Sequence, residues 1–215
     1  TELKGKASKS GPARMKFQDG VNRFRIVSNV IPGYKYWLKS KDGTSVPIDC
    51  LAFNRETEQF DNKKKDWVKH YFPGLKCSWA YSSLVIDRAD GQIKLLDHKK
   101  KLLQQIIDAA NKKFGDPSDP VKGWDIKCTR KKTGAKVFEV EYTLEVFDIE
   151  NSPLSEADLE LVKTAGDIEE ILKIPTPDEQ KKFIEDYILG GDEEEEENVP
   201  EEFNQGAQGE DDIPY

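Results

Sequence analysis

From residue 21 to residue 147 apolar and polar side chains alternate with a period of two, and this pattern limits what the chain can become more than any other. Neighbouring side chains on a strand point to opposite faces, so sustained alternation marks strands that are covered on one side. In 21–28, Phe24 and Ile26 share one face while Arg23 and Arg25 share the other. In 33–39, Tyr34, Tyr36 and Leu38 oppose Lys35, Trp37 and Lys39. A third strand is expected over 76–87, with Ala80, Leu84 and Ile86 inward and Trp79, Tyr81 and Ser83 outward. Residues 93–96 pair with it through Ala89-Asp90-Gly91, where glycine supplies a positive φ. Strands over 124–130 and 136–147 flank the turn Thr133-Gly134, and Phe138, Val140, Tyr142, Leu144 and Val146 alternate along the second.

One helix interrupts the series. Leu102, Leu103, Ile106, Ile107, Ala110 and Phe114 recur at helical spacing between an N-cap at Asp97 and a C-cap at Gly115, with Lys99-Lys100-Lys101 set against the helix dipole in the first turn. This order predicts a mainly β fold: a five-stranded, OB-like antiparallel barrel with one inserted helix, or else a sandwich. After residue 147 the pattern changes. Ser155 with Asp158, and Thr176-Pro177 with Glu179, are capping boxes that each open a short amphipathic helix. Leu159 and Val162 are expected to pack in the first helix, and Phe183, Ile184, Tyr187 and Ile188 in the second, which Gly190-Gly191 ends. The expected organisation is a basic, flexible arm over 1–20, a binding domain over 21–149, a helical extension over 150–191 and a disordered acidic tail over 192–215. That tail has 11 carboxylate side chains, no Lys or Arg, and almost nothing to bury.

Charge divides the chain along the same line. The net charge of -8 combines 29 basic and 19 acidic side chains in 1–149 with 4 basic and 22 acidic side chains in 150–215. No apolar run approaches the ~20 residues that span a bilayer, which excludes a helical membrane protein. Nor does the basic start of the sequence lead into the apolar stretch of a secretory signal. Cys50, Cys77 and Cys128 are odd in number and widely spaced, which suits free thiols in a reducing compartment.

Catalysis is not expected. There are two histidines, His70 and His98, no Gly-rich phosphate loop and no paired-ligand metal spacing, so neither a cofactor nor a metal is assigned. His70 with Cys50, Cys77 and Cys128 makes a zinc site only if the fold gathers them; three core thiols are the plainer reading. The richer pattern is cations among rings. Besides Arg23, Arg25, Lys35, Trp37 and Lys39, it includes Arg55, Lys63, Lys64, Lys65, Trp67, Lys69, Tyr71, Trp79, Tyr81, Arg130, Lys131 and Lys132. Cations neutralise backbone phosphates, and rings stack on unpaired bases irrespective of sequence, so the pair of chemistries points to single-stranded nucleic acid. Phe24, Trp124, Phe138 and Tyr142 fall on apolar faces and read as core. For Trp37, Trp67, Tyr71 and Trp79 the periodicity fits core and binding surface equally.

The sequence finishes on Asp211-Asp212-Ile213-Pro214-Tyr215 after the acidic run, a compact docking peptide with an apolar tip for a partner's pocket. It resembles the Asp-Asp-Ile-Pro-Phe terminus of bacterial single-stranded DNA-binding proteins, with Tyr for Phe. The body is more similar to the helix-destabilising single-stranded DNA-binding proteins of tailed bacteriophages. That likeness is carried by Cys77-Ser-Trp-Ala-Tyr-Ser-Ser-Leu-Val-Ile-Asp87 before a hairpin and a lysine-led helix, then by Pro120-Val-Lys-Gly-Trp-Asp-Ile-Lys127 and a closing hairpin. It spans about residues 20–147 and implies an OB fold, often with a zinc-binding insertion whose clustered cysteines this chain lacks. It further implies cooperative self-association on DNA, through terminal segments such as the arm bearing Lys4, Lys6, Lys9, Arg14 and Lys16. The implied partners are phage or host replication, recombination and repair proteins, in the cytoplasm of an infected bacterium. Two other readings stay open. One is an acidic, chaperone-like protein-interaction module whose basic barrel binds a protein, and the other is RNA binding with the same physics.

Overall fold

The computed structural model describes residues 11–136 and 139–190. The chain runs through β1 (Gly20–Ile26), β2 (Tyr34–Lys39), β3 (Ser45–Asp49), α1 (Trp67–Tyr71), β4 (Ser78–Trp79), β5 (Ser82–Asp87) and β6 (Gln92–Asp97). Next come α2 (Lys100–Ala109), prolonged by a π turn over Ala110–Phe114, then β7 (Ile126–Lys132) and β8 (Val140–Leu144). Three helices follow: α3 (Glu156–Thr164), α4 (Ile168–Ile171) and α5 (Pro177–Phe183), the last prolonged by a π turn over Ile184–Leu189. Among the described residues no helix is long and apolar enough to cross a membrane.

The strands form two antiparallel sheets, one of five strands in the order β6-β5-β1-β7-β8 and one of three in the order β3-β2-β4. The alternation in β1 puts Phe24 and Ile26 on the face that receives α2, whose Leu102, Leu103, Ile106 and Ala109 are buried there. Val85, Leu96, Trp124, Ile126, Cys128 and Leu144 complete that core. On the opposite face, Leu84 and Leu95 pack with Ile168 of α4. The small sheet has its own core, in which Tyr36, Leu38, Ile48, Cys50 and Phe53 meet Val68 of α1 and Ile184 beyond α5.

The expected barrel is not formed. Closure requires the two edges of a sheet to pair, whereas here β6 and β8 remain edges. The segment around Arg14 runs parallel to the β6 edge, with Met15 N–H donating to Leu95 at 2.9 Å. Beside β8, the Gln105 side chain of α2 bonds the backbone of Tyr142 and Leu144. The strands that a barrel would use to continue from β1, namely β2 and β3, pair with each other and enclose a separate core. Pro32, which has no N–H to donate, lies in the link between β1 and β2, and the two sheets meet through the bridge Ile31↔Ser82. The likeness to the OB-fold phage proteins is therefore corrected: it identified a strand pattern, not a closed barrel.

Individual elements differ from expectation for local reasons. The strand expected over 76–87 is divided at Ala80-Tyr81, so that β4 belongs to the small sheet and β5 to the large one. Every residue of β5 is buried, as suits a strand covered on both faces. The helix begins after Lys99 because the Asp97 carboxylate is engaged elsewhere, accepting from Ser82 Oγ at 2.8 Å and pairing with Arg14. Both capping boxes form as read, at Ser155/Asp158 and Thr176/Glu179. Phe138 lies outside the described residues.

Candidate nucleic-acid interface

The cations of β1 and β7 lie on the large sheet, and most are already engaged. Arg25 is fully buried. Its guanidinium donates to the carbonyls of Ser152 at 2.7 Å and Asp119 at 2.6 Å, beneath a loop in which Gly123 has no room for a side chain: a Cβ there would stand 2.6 Å from the Pro117 carbonyl. Arg25 is thus removed from the phosphate-binding set, because the chain covers this face at Arg25, while Arg23 two residues earlier stays exposed. Arg23 pairs with Asp125 at 3.2 Å and Arg130 with Asp19. Lys131 and Lys132 are exposed on β7. An open cavity of about 760 Å³ has Arg14, Lys16, Arg23, Arg88 and Lys94 in its wall. Most of this positive charge is engaged, since Arg88 pairs with Asp125 and Asp158, and Lys94 with Asp87 at 2.6 Å, whereas Lys16 is exposed.

The small sheet is different. On its outer face β2 presents Lys35, Trp37 and Lys39, opposite Asp49, Pro47 and Ser45 of β3. Lys35 is half-buried, 3.9 Å from Asp49, which also receives Arg55. Arg55 is held further by the Leu172 carbonyl at 2.6 Å, so it ties α4 to this sheet. Trp37 is 53% exposed and Lys39 is exposed. Trp37 thus stands half in solvent beside a lysine, on a strand whose other face is sealed by Tyr36 and Leu38, and its outer ring face is open to stacking.

A second group of rings lies on the opposite side of the sheet, at the β4 edge. Trp79 faces Tyr34 across the strands and stacks on Tyr81, with centroids 4.4 Å apart and planes 14° from parallel. Tyr34 meets Phe53 at 4.8 Å and Phe60 at 4.9 Å. Tyr81 Oη donates to Glu58 at 2.6 Å, and burial together with that carboxylate raises its pKa. Glu58 has φ +54, a left-handed conformation rare outside glycine, so the loop carrying Phe60 is held against the rings by a constrained residue. Neither Glu58 nor Phe60 was expected from sequence. A lone ring in the polar run Glu58-Gln59-Phe60-Asp61 was the available signal.

Trp67 and Tyr71 are not free platforms. Both are half-buried between α1 and α5, where Gln180 accepts from Trp67 N–H at 2.8 Å, Lys181 lies over the Trp67 ring and Tyr71 Oη donates to Glu185 at 2.6 Å. Burial, and then Glu185, push the Tyr71 hydroxyl up to about 12. Lys63, Lys64, Lys65 and Lys69 are exposed around α1, with Lys65 3.8 Å from the Trp67 ring. The candidate residues thus divide into an outer patch centred on Trp37, an edge patch centred on Trp79 and Tyr81, and a lysine cluster beside α1.

The thiols do not converge on a metal. Cys128 belongs to the core of the large sheet and Cys50 to that of the small one, while His70 is exposed on α1. Among the described residues no group of three or more His, Cys, Asp or Glu is placed to hold an ion. Cys50 and Cys77 are neighbours: a hydrogen bond from Cys50 lowers the Cys77 thiol to about 7, while Cys50 itself is pushed up. Lys4, Lys6, Lys9 and the run Asp211, Asp212, Ile213, Pro214 and Tyr215 lie outside the described residues.

No protein-family model matches the chain. It is similar to a protein of Escherichia phage T5 named "Probable ssDNA-binding protein", with 28% identity over 233 aligned positions that cover 90% of this chain and 88% of that protein.

Proposed function

We propose that the protein binds single-stranded DNA without sequence preference, as a non-enzymatic coat, through the exposed face and edge of the small sheet. The observation that carries this reading is Trp37, half in solvent on an uncovered strand face beside Lys39. Bases stack on the ring while Lys39 and the lysines at 63–65 neutralise phosphate. The name of the phage T5 relative supports the same class of ligand. On this reading the protein covers DNA during phage replication, recombination and repair in an infected bacterium. The acidic sequence ending Asp211-Asp212-Ile213-Pro214-Tyr215 recruits partner proteins.

The test is a titration of tryptophan fluorescence with poly-dT across a salt series. Quenching is expected, with affinity falling steeply as salt rises. Replacing Lys63, Lys64 and Lys65 by Ala is expected to flatten the log–log salt slope by about 2, since each single-strand phosphate contact contributes ~0.7. Binding of poly-dT without quenching would contradict ring stacking. No binding at low salt would overturn the reading in favour of a protein ligand.

A further inference from the structure

Trp67 carries two ammonium groups. Lys65 Nζ stands 3.8 Å from the ring centroid and Lys181 Nζ 4.9 Å from it, although the two lysines come from segments more than a hundred residues apart. The ring itself is fixed. Its backbone N–H donates to Gln180 Oε1 at 2.8 Å, and Tyr71 stacks beside it with centroids 5.8 Å apart and planes 27° from parallel. Gln180 is buried and also donates through Nε2 to the Asp49 carbonyl at 2.8 Å, so α5 cannot drift from α1 without breaking both bonds.

The way a lysine is held decides what it can still bind. A carboxylate partner neutralises the ammonium, as Asp87 and Asp90 do for Lys94. A ring face attracts the ammonium through its quadrupole and leaves the charge whole, while it restricts the long flexible stem. Side chains ordered in advance lose less freedom when a ligand arrives. Lys181 also lies 3.6 Å from Glu185, but exposed pairs of this kind contribute little, and Glu185 is engaged by Tyr71 Oη at 2.6 Å. We propose that Lys65 and Lys181, mounted on Trp67, form a phosphate-binding site, and that α5 thereby belongs to the nucleic-acid interface. The identity of the ligand rests on the proposed function, whereas the mount does not. Trp67 then acts as a support for cations rather than as a platform for a base. The site lies on the inner side of the small sheet, where Val68 of α1 and Ile184 beyond α5 close the core, the same side as Trp79.

The test compares Lys181→Ala with Lys182→Ala, one residue further on and turned about 100° around the helix. Across a salt series with poly-dT, Lys181→Ala and Lys65→Ala are each expected to flatten the log–log slope by ~0.7, the share of one single-strand phosphate contact, and Lys182→Ala to leave it unchanged. Trp67→Phe, which keeps a ring, is expected to retain the effect of Lys181→Ala, whereas Trp67→Leu abolishes it. A slope in Lys181→Ala equal to that of the wild type overturns the proposal. Equal losses in Lys181→Ala and Lys182→Ala also overturn it, since a diffuse positive surface would then suffice, and so does a Lys181→Ala effect undiminished in Trp67→Leu. Failure of the wild-type chain to bind poly-dT at low salt is a failure of the DNA reading instead, and a second arm then decides. Inorganic tripolyphosphate is titrated into the full chain while the lysine side-chain NMR signals are followed. Perturbation of Lys65 and Lys181 beyond that of Lys182 supports a phosphate site without reference to DNA, and its absence overturns the proposal.

Discussion

β1 and β2 are written in a similar code, two cations on one face (Arg23 and Arg25, Lys35 and Lys39) with rings or branched chains on the other, and both are central strands of antiparallel sheets. Their surroundings make them opposites. Over β1, the loop around Gly123 and the chain at Ser152 close on Arg25, so that a side chain suited to phosphate instead holds two backbone carbonyls in the interior. Over the outer face of β2 the described chain places no such cover beyond Arg55 and Leu172 at the Lys35 end, leaving Trp37 and Lys39 in solvent. Whether a basic strand face becomes scaffold or binding surface is decided by what crosses over it, often from a hundred residues away.

The largest test of this contrast removes rings from the small sheet and lysines from the large one. Trp37→Ala combined with Trp79→Ala is expected to weaken poly-dT binding by about 2–6 kcal/mol, at ~1–3 kcal/mol for each stacked base. Trp37→Ala alone gives about half of that loss without touching the inner core. Lys131→Ala with Lys132→Ala is expected to change affinity only slightly at matched salt. Competition binding checks both, and equal losses from the two pairs would erase the distinction between the sheets.

The next test addresses Arg25. Arg25→Met is expected to destabilise the fold by about 3 kcal/mol or more, measured by urea unfolding, because it takes the guanidinium from the Ser152 carbonyl and from Asp125 and leaves the Asp119 carbonyl only the Gly123 N–H. The same variant, at a temperature where it is folded, is expected to bind poly-dT as wild type does. A loss of affinity with no loss of stability would return Arg25 to the binding surface.

Much of the large sheet was legible in the sequence. Phe24, Ile26, Trp124 and Leu144 are buried as their alternation requires, the hairpin at Gly91 has its positive φ of 68°, and the two capping boxes are in place. Other features were not, for physical reasons. β3 contains Pro47, which is tolerated because β3 is an edge strand, and edge status is a property of the assembled sheet. Sheet closure depends on pairings between distant segments, so the same strands fit a barrel or two open sheets. At the interface, Lys35, Trp37 and Lys39 were read correctly as sharing a face. Periodicity was silent on α5, whose Gln180 and Lys181 close over Trp67 from more than a hundred residues away.

His98 sharpens the scaffold side of the comparison. It is buried against Ser83, with Nε2 2.8 Å from the hydroxyl and Nδ1 without a partner among the described residues, and burial lowers its pKa to about 4 from an ordinary 6.5. In the fold the ring stays neutral while in the unfolded chain it takes up a proton below about 6.5. Its contribution is therefore intact at neutral pH and declines as pH falls toward 4. Unfolding free energy is expected to drop by about 2 kcal/mol between about pH 7 and about pH 5, and His98→Leu to remove most of that slope. A slope unchanged in the variant would mean that other groups set the acid sensitivity.

The smallest expected effect is chemical, and it sets one thiol of each sheet against the other. Cys128, in the core of the large sheet, is pushed up to about 12 by burial and is shielded from reagents. Cys77 is half-exposed just before β4, and the hydrogen bond from Cys50 lowers it to about 7 despite partial burial. The reactive species is the thiolate. Alkylation of Cys77 by iodoacetamide is therefore expected to rise through about pH 7, and Cys128 to remain unmodified over the same range in the folded chain. Cys50→Ala removes the stabilising donor and moves the midpoint upward, toward the ordinary thiol value. Because Cys77 adjoins Ser78 and Trp79, bound poly-dT is expected to slow its alkylation. Mass spectrometry of the modified residues reads all three effects at once. No protection of Cys77 in the wild-type chain at saturating DNA would place the strand elsewhere than on the β4 edge, while leaving the outer patch at Trp37 as its path.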